Sequence, residues 1–316
     1  MKILHCLTAV FCAAILAFLL TACNRSASAR TIVISIPSAD HGWTGGIVSW
    51  AEKAKTDIEK EYPNVKVIIS TAKNAQDQIN GIESLLVSEP EVFVVLPHDS
   101  VMLTPVCEKI KKSDSKLIVV DRGLTKPDLA DAEVVGDNVG FGVESGRAFA
   151  TALAGKGRII YMEGVLCQTN TDRIGGFMSV INKDSYPEIE LDGGRADWNT
   201  EKAARLMEDM LAKYDKIDAV WAGDDDVLQG VLKAYEKSGR KDVRLMSGGG
   251  GSQFIVEKIK SGDPIVKFTV SYPPKMIYDA AMLAAKADYS LKKVVIPAEV
   301  ITHDNAEKFV FPGSRY

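Results

Sequence analysis

Basic residues are too few and too dispersed in this sequence to form a nucleic-acid-binding face. The 316 residues include 38 Lys and Arg against 42 Asp and Glu, which gives a formal net charge of −4 at pH 7. Binding to nucleic acid needs a surface rich in Lys and Arg that neutralises phosphates. The composition therefore predicts no nucleic-acid partner.

Motifs of common enzyme families are also missing. The sequence has no GxSxG nucleophile elbow, no paired metal-ligand spacing and no GxGxxG dinucleotide fingerprint. We therefore expect no enzymatic activity, no cofactor and no metal. An enzyme that acts on a sugar or a nucleotide is the less favoured alternative.

Cysteine is scarce outside the N-terminal segment. Of the five cysteines, only Cys107 and Cys167 follow residue 23. Cys107 stands among apolar residues of a predicted helix and is expected in the core, whereas Cys167 stands in a polar loop. Because the two fall in different halves of the chain, the sequence disfavours a disulfide between them.

The one long apolar run of the sequence lies at its N-terminus, from about Leu7 to Leu20, after the positive charge of Lys2. The run ends in Leu-Thr-Ala-Cys, which resembles the lipobox of bacterial lipoproteins. This resemblance implies cleavage before Cys23 and acylation of that cysteine. We expect residues 1–22 to be a signal peptide and residues 23–30 to be a flexible tether.

An uncleaved membrane helix is the alternative for this segment. His5, Thr8 and Thr21 interrupt an apolar run that is already short for a span, and they disfavour it. The rest of the sequence has no second candidate span. We therefore expect an exported lipoprotein, anchored to a bacterial membrane and facing the periplasm or the cell exterior.

Short β-branched runs alternate with helical segments from Thr31 onward, which is typical of a parallel α/β sheet. After residue 22, about 290 residues are left, enough for two domains. We predict two successive α/β units divided near Gly136. The predicted strands are Thr31 to Ile36, Val65 to Ser70, Glu91 to Leu96, Lys116 to Val120, Arg158 to Met162, Ala219 to Ala222, Val243 to Met246 and Ile265 to Val270.

Polar and aromatic side chains follow these strands, where parallel sheets bind ligands. In the first half, Trp43 precedes the helical stripe and is expected to face a ligand, with core packing as the alternative. His41 stands in the same loop and could hydrogen-bond a hydroxyl. Asp121 and Arg122 follow the fourth strand, where their charges are expected to bind a ligand. An ion pair between the two residues without a ligand role is the alternative.

The second half repeats the pattern with Arg173, Trp198 and the triplet Asp224 to Asp226. The triplet predicts a capped helix start, with a metal site as the alternative. The tetrad Gly248 to Gly251 lacks the spacing of a phosphate loop and is expected to be a turn close to the ligand. Aromatic faces that pack on C–H groups, together with carboxylates and guanidinium groups that bond hydroxyls, suit a sugar.

From Thr31 to its C-terminus the sequence resembles the ribose/galactose type of bacterial periplasmic sugar-binding proteins, which serve ABC importers. The resemblance implies two Rossmann-like lobes joined by a three-strand hinge. The N-terminal lobe would comprise residues 31–136 and 272–300, and the C-terminal lobe residues 137–271 and 301–316. The ligand residues of the family fall on His41, Trp43, Asp121, Arg122, Arg173, Trp198, Asp224, Gly249 and Ser271.

The sequence departs from the family's pattern at several positions, most seriously at Gly249 and Ser271. A second aromatic residue of the first loop falls on Thr44, an aspartate falls on Gly249 and a glutamine falls on Ser271. The loss of the aspartate removes two acceptor oxygens and is expected to leave room. We therefore expect a hydroxyl pattern other than that of ribose, or a larger sugar or polyol.

The resemblance implies a monomeric receptor that closes on one monosaccharide or polyol and hands it to an ABC permease. Closure can be driven only by contacts made in the closed state, so both lobes must touch the ligand. Arg122 and Arg173 are the residues expected to do so. A sugar-sensing receptor for a chemotaxis or kinase partner is the alternative.

Overall fold

The computed structural model describes residues 30–39, 42–311 and 316 of this chain. Its larger sheet contains six parallel strands. They are β1 (Arg30–Pro37), β2 (Val65–Ala72), β3 (Val92–Val95), β4 (Lys116–Val120), β5 (Ala132–Gly136) and β11 (Lys293–Ile296). Their order across the sheet is β11-β5-β4-β3-β1-β2.

A second parallel sheet and a short antiparallel ribbon complete the strands. The sheet contains β6 (Lys156–Glu163), β7 (Glu188–Arg195), β8 (Ala219–Ala222) and β9 (Leu245–Ser247). They lie in the order β7-β6-β8-β9. The ribbon pairs β10 (Phe268–Val270) with β12 (Val300–Thr302).

Helices connect the strands, and several begin at a side chain that caps the first backbone N–H groups. Asn74, Asp99, Asp137, Asn199, Asp224 and Ser252 act in this way. The helices are α1 (Gly42–Glu61), α2 (Ala75–Leu86), α3 (Ser100–Lys112), α4 (Asn138–Leu153), α5 (Gln168–Val180), α6 (Thr200–Lys213), α7 (Asp225–Ser238), α8 (Gln253–Lys260) and α9 (Met276–Lys286).

Both faces of the larger sheet are buried. In β1, Ile32, Ile34 and Ile36 pack with apolar residues of α1 and α9 on one face. Val33 packs with residues of α2 and α3 on the other face. Because successive strand residues point to opposite faces, a strand covered by helices on both sides is apolar throughout. This explains why the strands are easily recognised in the sequence.

The chain passes between the two sheets at three places. It crosses after β5, at Gly136, then between β10 and α9, and finally between β11 and β12. The predicted fold class, two α/β lobes built on parallel sheets, is confirmed. The lobe boundaries at residues 136, 272 and 300 stay a prediction.

The eight predicted strands correspond to β1 to β4, β6 and β8 to β10. The bounds of β5, β7, β11 and β12 could not be read from the sequence. β7 carries Asp, Glu and Gly in the run EIELDGGR, and β11 is a half-exposed edge strand. Neither therefore shows the continuous apolar run that marks a strand buried on both faces.

Arg30 belongs to the folded part of the chain, so the tether boundary at residue 30 is wrong. The Arg30 guanidinium donates to both carboxylate oxygens of Glu91, at 2.6 and 2.9 Å. It also donates to the carbonyls of Ala284 and Ala285 at the end of α9. These bonds join the start of β1 to β3 and α9, and the strand therefore begins at Arg30.

The two later cysteines are free thiols. Cys107 lies in the core, as predicted, and burial raises the pKa of its thiol to about 12. Cys167 is partly exposed at the start of α5. Within the described residues, no helix combines the length and the apolar character that a membrane span requires. Cys23 and the predicted signal peptide lie outside the described residues.

Asp225 ties the end of β8 to the glycine tetrad and to β10. Its carboxylate accepts from Ser252 N at 2.7 Å and from Thr269 Oγ1 at 2.9 Å, and its own N–H donates to Gly249 O. The side chain is fully buried. Burial, with a smaller contribution from the charge of Asp226, raises the pKa of Asp225 to about 6.

This pKa predicts a distinct dependence of stability on pH. Below about pH 4, Asp225 is protonated in both the folded and the unfolded chain, and its contribution to the free energy of unfolding is fully present. As pH rises from about 4 to about 6, the unfolded chain releases this proton before the folded chain does. The free energy of unfolding therefore falls by about 3 kcal/mol. Urea denaturation should therefore show the unfolding free energy of the unmodified chain falling relative to Asp225→Asn between about pH 4 and 7.

Asp263 supplies a control of opposite sign. Burial opposes its ionisation, but hydrogen bonds from the N–H groups of Val266 and Ile265 and from Lys258 lower its pKa overall. The unmodified chain should therefore gain stability relative to Asp263→Asn as pH rises through about 4. If the unfolding free energy of the unmodified chain changes with pH in the same direction relative to both variants, the interpretation of Asp225 is wrong.

Candidate functional site

A cavity lies between the two lobes, at the carboxyl ends of strands from both sheets. It contains about 370 Å³ of empty space, solvent at its mouth included. This cavity is called the cleft cavity below. Its lining residues are Trp43, Asp121, Arg122, Thr169, Arg173, Trp198, Asp224, Gly249, Gly250, Tyr272 and Tyr316.

Asp121 and Arg122 enter the cleft cavity from the end of β4. Asp121 has a left-handed backbone conformation, with φ of 61°, which is uncommon for a residue with a side chain. Its Oδ2 lies 3.6 Å from Arg122 Nε, so the two form an ion pair. Arg122 Nη1 also donates to the carbonyl of His98 at 2.9 Å. The turn therefore places one acceptor and one donor side by side at the wall of the cavity.

Trp43 lies in the core and also at the wall of the cleft cavity. It is only 7% exposed and belongs to the main core, yet it also lines the cleft cavity. Its Nε1 donates to the carbonyl of Tyr272 at 3.0 Å, and the centroids of the two rings are 5.8 Å apart. The hydrogen bond fixes the plane of the indole where it faces the cavity.

Tyr272 contacts three other residues of the cleft cavity, Trp43, Asp121 and Arg173. It follows β10 at the second crossing, and its hydroxyl donates to Asp121 Oδ1. Asn138 Nδ2 donates to the same hydroxyl at 3.3 Å. Burial, followed by the charge of Asp121, raises the pKa of this phenol, so it stays protonated and acts as a donor. Tyr272 thus links the ends of β4 and β5.

Arg173 is held between two aromatic rings. Its Cζ lies 4.2 Å from the ring centre of Phe141 and 4.4 Å from that of Tyr272. Its Nε donates to Asn138 Oδ1 at 3.0 Å, and its Nη1 donates to Gly223 O at 2.8 Å. The side chain is 5% exposed. Because these acceptors are neutral, the positive charge of Arg173 is available to polarise a bound hydroxyl.

Trp198 faces the cleft cavity from the segment after β7. It adopts φ of 53°, a conformation that is rare for a bulky residue and that is found with strain at ligand sites. Its ring lies so close to Gly164 that a Cβ there would be 2.1 Å from Trp198 Cε2. The indole Nε1 is buried without a hydrogen-bond partner among the described residues. The backbone and Gly164 therefore fix the position of the ring.

The acidic triplet caps a helix, as the sequence predicts. Asp224 precedes α7 and accepts from Val227 N at 2.7 Å. Asp225 points into the core, and Asp226 accepts from Trp43 N at 3.4 Å. No group of three or more acidic, His or Cys side chains with metal-binding geometry occurs in the described part of the chain. Asp224 is the member of the triplet that lines the cleft cavity.

The glycine tetrad is a turn that brings backbone to the cleft cavity, through Gly249 and Gly250. The expectation that Gly249 leaves room for a ligand is wrong. A Cβ at this position would lie 1.9 Å from Cζ of Phe141. The Phe141 ring already occupies the space that a larger residue at position 249 would need, so the glycine is required by packing.

Ser271 does not reach the cleft cavity. Its Oγ accepts from Glu299 N at 3.0 Å, while its N–H donates to Glu299 O at 2.8 Å. These bonds join the second and third crossings of the chain, and they direct the hydroxyl away from the cleft. The structure therefore excludes Ser271 from the residues it brings together there. His41 lies outside the described residues.

The cleft cavity is also lined by residues that the sequence pattern does not single out, including Thr169, Tyr272 and Tyr316. Tyr272 is adjacent to Ser271, and the choice between them depended on a side-chain direction that spacing does not reveal. Thr169 lies within the polar segment that precedes Arg173. Tyr316 carries no local signal, because only the fold brings it near the strand ends.

The chemistry of the cleft cavity is that of recognition. Two indoles present flat faces from opposite lobes, and two guanidinium groups and two carboxylates provide donors and acceptors. Aromatic faces pack on C–H groups, and each hydroxyl can donate to a carboxylate and accept from a guanidinium group. The arrangement fits a small polyhydroxylated ligand.

Comparisons with known proteins agree with this fold. A model of the periplasmic binding protein domain matches residues 32–288. The xylitol-binding protein of Mycolicibacterium smegmatis is 29% identical over 215 residues, which cover 67% of this chain and 60% of that protein. A ribose import binding protein of Haemophilus influenzae is 24% identical over 281 residues, 88% of this chain and 92% of that protein.

Solved structures show the same architecture. An ABC transporter solute-binding protein of Bacillus halodurans with bound myo-inositol superposes with a TM-score of 0.79 at 24% identity, covering 92% of this chain and 99% of that chain. One from Actinobacillus succinogenes with bound D-allose gives 0.77 at 21% identity, covering 88% and 99%. This chain therefore belongs to the type I periplasmic binding protein family, and the family resemblance seen in its sequence is confirmed.

Proposed function

We propose that this chain is a lipid-anchored, non-enzymatic receptor that binds a monosaccharide or a polyol between its lobes and delivers it to an ABC permease. One observation carries the proposal: a single cavity joins Trp43 and Arg122 of one lobe to Trp198 and Arg173 of the other. A ligand in contact with both lobes favours the closed arrangement, because only closure makes both sets of contacts.

The names of the relatives support the ligand class. They include proteins for xylitol, ribose and D-apiose, and related structures contain myo-inositol and D-allose. These ligands share several vicinal hydroxyl groups and have no charge. The proposed ligand residues are Trp43, Asp121, Arg122, Arg173, Trp198 and Asp224, together with the backbone at Gly249. His41 stays in the proposal from the resemblance alone.

Anchoring through Cys23 would keep such a receptor close to its permease. Acyl chains hold a protein to a membrane by burying methylene groups, at about 0.8 kcal/mol each. β1 begins at Arg30, so a short polar segment of sequence would separate the anchor from β1. The proposed location is a bacterial membrane, with the receptor facing the periplasm or the cell exterior.

A ligand screen tests the function directly. We expect at least one of D-ribose, D-allose, xylitol and myo-inositol to bind with a Kd in the micromolar range or tighter, about −8 kcal/mol, by titration calorimetry. The midpoint temperature of thermal unfolding should rise at a saturating concentration of that ligand. L-leucine serves as a ligand of another class. Binding of L-leucine without binding of any carbohydrate or polyol would contradict the proposal.

Substitution of the two arginines tests the involvement of both lobes. We expect Arg122→Lys and Arg173→Lys each to weaken binding of the tightest screened ligand by tenfold or more, because lysine lacks the planar set of donors. Arg147→Lys is the matched control, since Arg147 is exposed on α4, outside the cleft cavity, and pairs with Glu144. Its Kd should change less than twofold. A loss of affinity in only one of the two variants, Arg122→Lys or Arg173→Lys, would contradict closure of both lobes on the ligand.

Metabolic labelling with palmitate tests the anchor. In a bacterial host the unmodified chain should incorporate label and sediment with membranes, whereas Cys23→Ala should do neither. Cys12→Ala is the matched control, because Cys12 lies in the apolar run that would be removed. Absence of label from the unmodified chain would refute lipidation while leaving the ligand proposal to its own test.

A further inference from the structure

Tyr316 lies at the boundary between the cleft cavity and a second, larger cavity. The second cavity contains about 660 Å³ of empty space, solvent at its mouth included, and lies behind the crossings of the chain. We call it the hinge cavity. Among its lining residues are Trp50, Ser271, Pro273, Pro297, Glu299, Phe309 and Phe311. Gly250 and Tyr316 line both cavities.

Two glycines, one from each lobe, leave the slot in which the Tyr316 side chain lies. A Cβ at Gly46, in α1, would be 2.7 Å from Tyr316 Cβ. A Cβ at Gly250, after β9, would be 2.1 Å from the Tyr316 hydroxyl. Tyr316 is 5% exposed and belongs to the main core cluster. The ring is therefore a tightly packed part of the cleft wall.

The hydroxyl holds the far end of the ring in place. It donates to Gly249 O at 3.4 Å. Burial, followed by the charges of Asp225, Asp226 and Asp224, raises the pKa of this phenol well above its usual range. The group therefore stays a protonated donor at physiological pH. The Tyr316 side chain therefore extends from α1, beside its Cβ, to the glycine tetrad, beside its hydroxyl.

We propose that Tyr316 sets the size of the ligand that the cleft cavity accepts, because its ring is the partition between that cavity and the hinge cavity. The inference rests on the proposed function. The cleft cavity contains about 370 Å³ of empty space, solvent at its mouth included. Without the ring it would open into a further 660 Å³ that is bordered mainly by apolar side chains. Ligands with an added apolar substituent would then fit.

The test compares the tightest ligand of the screen with its mono-O-methyl and mono-O-propyl derivatives, in the unmodified chain and in Tyr316→Ala. The measured quantity is the ratio of the derivative's Kd to the parent's Kd, from calorimetry. We expect this ratio to fall at least tenfold in Tyr316→Ala for one or more derivatives. A general loss of stability changes both Kd values by the same factor and leaves the ratio unaltered.

Two variants serve as controls. Tyr316→Phe keeps the ring and should keep the ratio of the unmodified chain within twofold. Phe309→Ala enlarges the hinge cavity without touching the cleft wall, and it should also leave the ratio unchanged. If Tyr316→Ala does not fold, Tyr316→Leu, which retains an apolar side chain but not the length of the ring, takes its place with the same expected fall.

The outcomes separate this inference from the proposed function. Unaltered ratios in Tyr316→Ala, with normal binding by the unmodified chain, overturn the inference alone. An equal fall in Tyr316→Phe also overturns it, because the partition is then not the ring. Absence of binding of every carbohydrate and polyol by the unmodified chain overturns both.

Discussion

The buried hydroxyl of Tyr272 is the contact on which the cleft depends. Tyr272 lies at a crossing between the lobes, and its hydroxyl donates to Asp121 and accepts from Asn138. The Tyr272 ring packs against the Arg173 guanidinium. Its carbonyl accepts from the indole of Trp43. A single residue of the connecting segment thus orients groups of both lobes. Removing this hydroxyl would take one hydrogen bond from each of two buried side chains, Asp121 and Asn138.

Close contacts between glycines and aromatic rings shape the rest of the cavity. A Cβ built on Gly136 would lie 2.1 Å from the Tyr272 ring, and one built on Gly164 would lie 2.1 Å from the Trp198 ring. A Cβ built on Gly249 would lie 1.9 Å from the Phe141 ring. Each ring therefore rests directly on backbone. Rings held in this way lose little further freedom when a ligand binds, which lowers the entropic cost of binding. The cavity is rigid where it presents flat faces and polar where it presents charges.

Much of the fold could be predicted from the sequence because burial on both faces of a sheet leaves a local record. β3 is the apolar run VFVV, β4 is apolar after Lys116, and β1 is apolar from Ile32 to Ile36 except at Ser35. The stripe of Ile47, Ala51, Ala54 and Ile58 marks α1. β11 could not be recognised, since an edge strand that is half exposed carries no such run. The site residues Trp43, Asp121, Arg122, Arg173, Trp198 and Asp224 were predicted because each follows a strand, and the structure brings all of them to one cavity.

The sequence by itself determined the fold class, the family and the residue types at the strand ends, because these depend on periodicity and on local order along the chain. Only the tertiary structure decided which side chains share the cavity. Ser271 points to Glu299, its neighbour Tyr272 enters the cleft, and Tyr316 arrives there from the far end of the chain. The physical reason is that side-chain direction and contacts between distant segments are set by packing, which leaves no periodic signal in sequence.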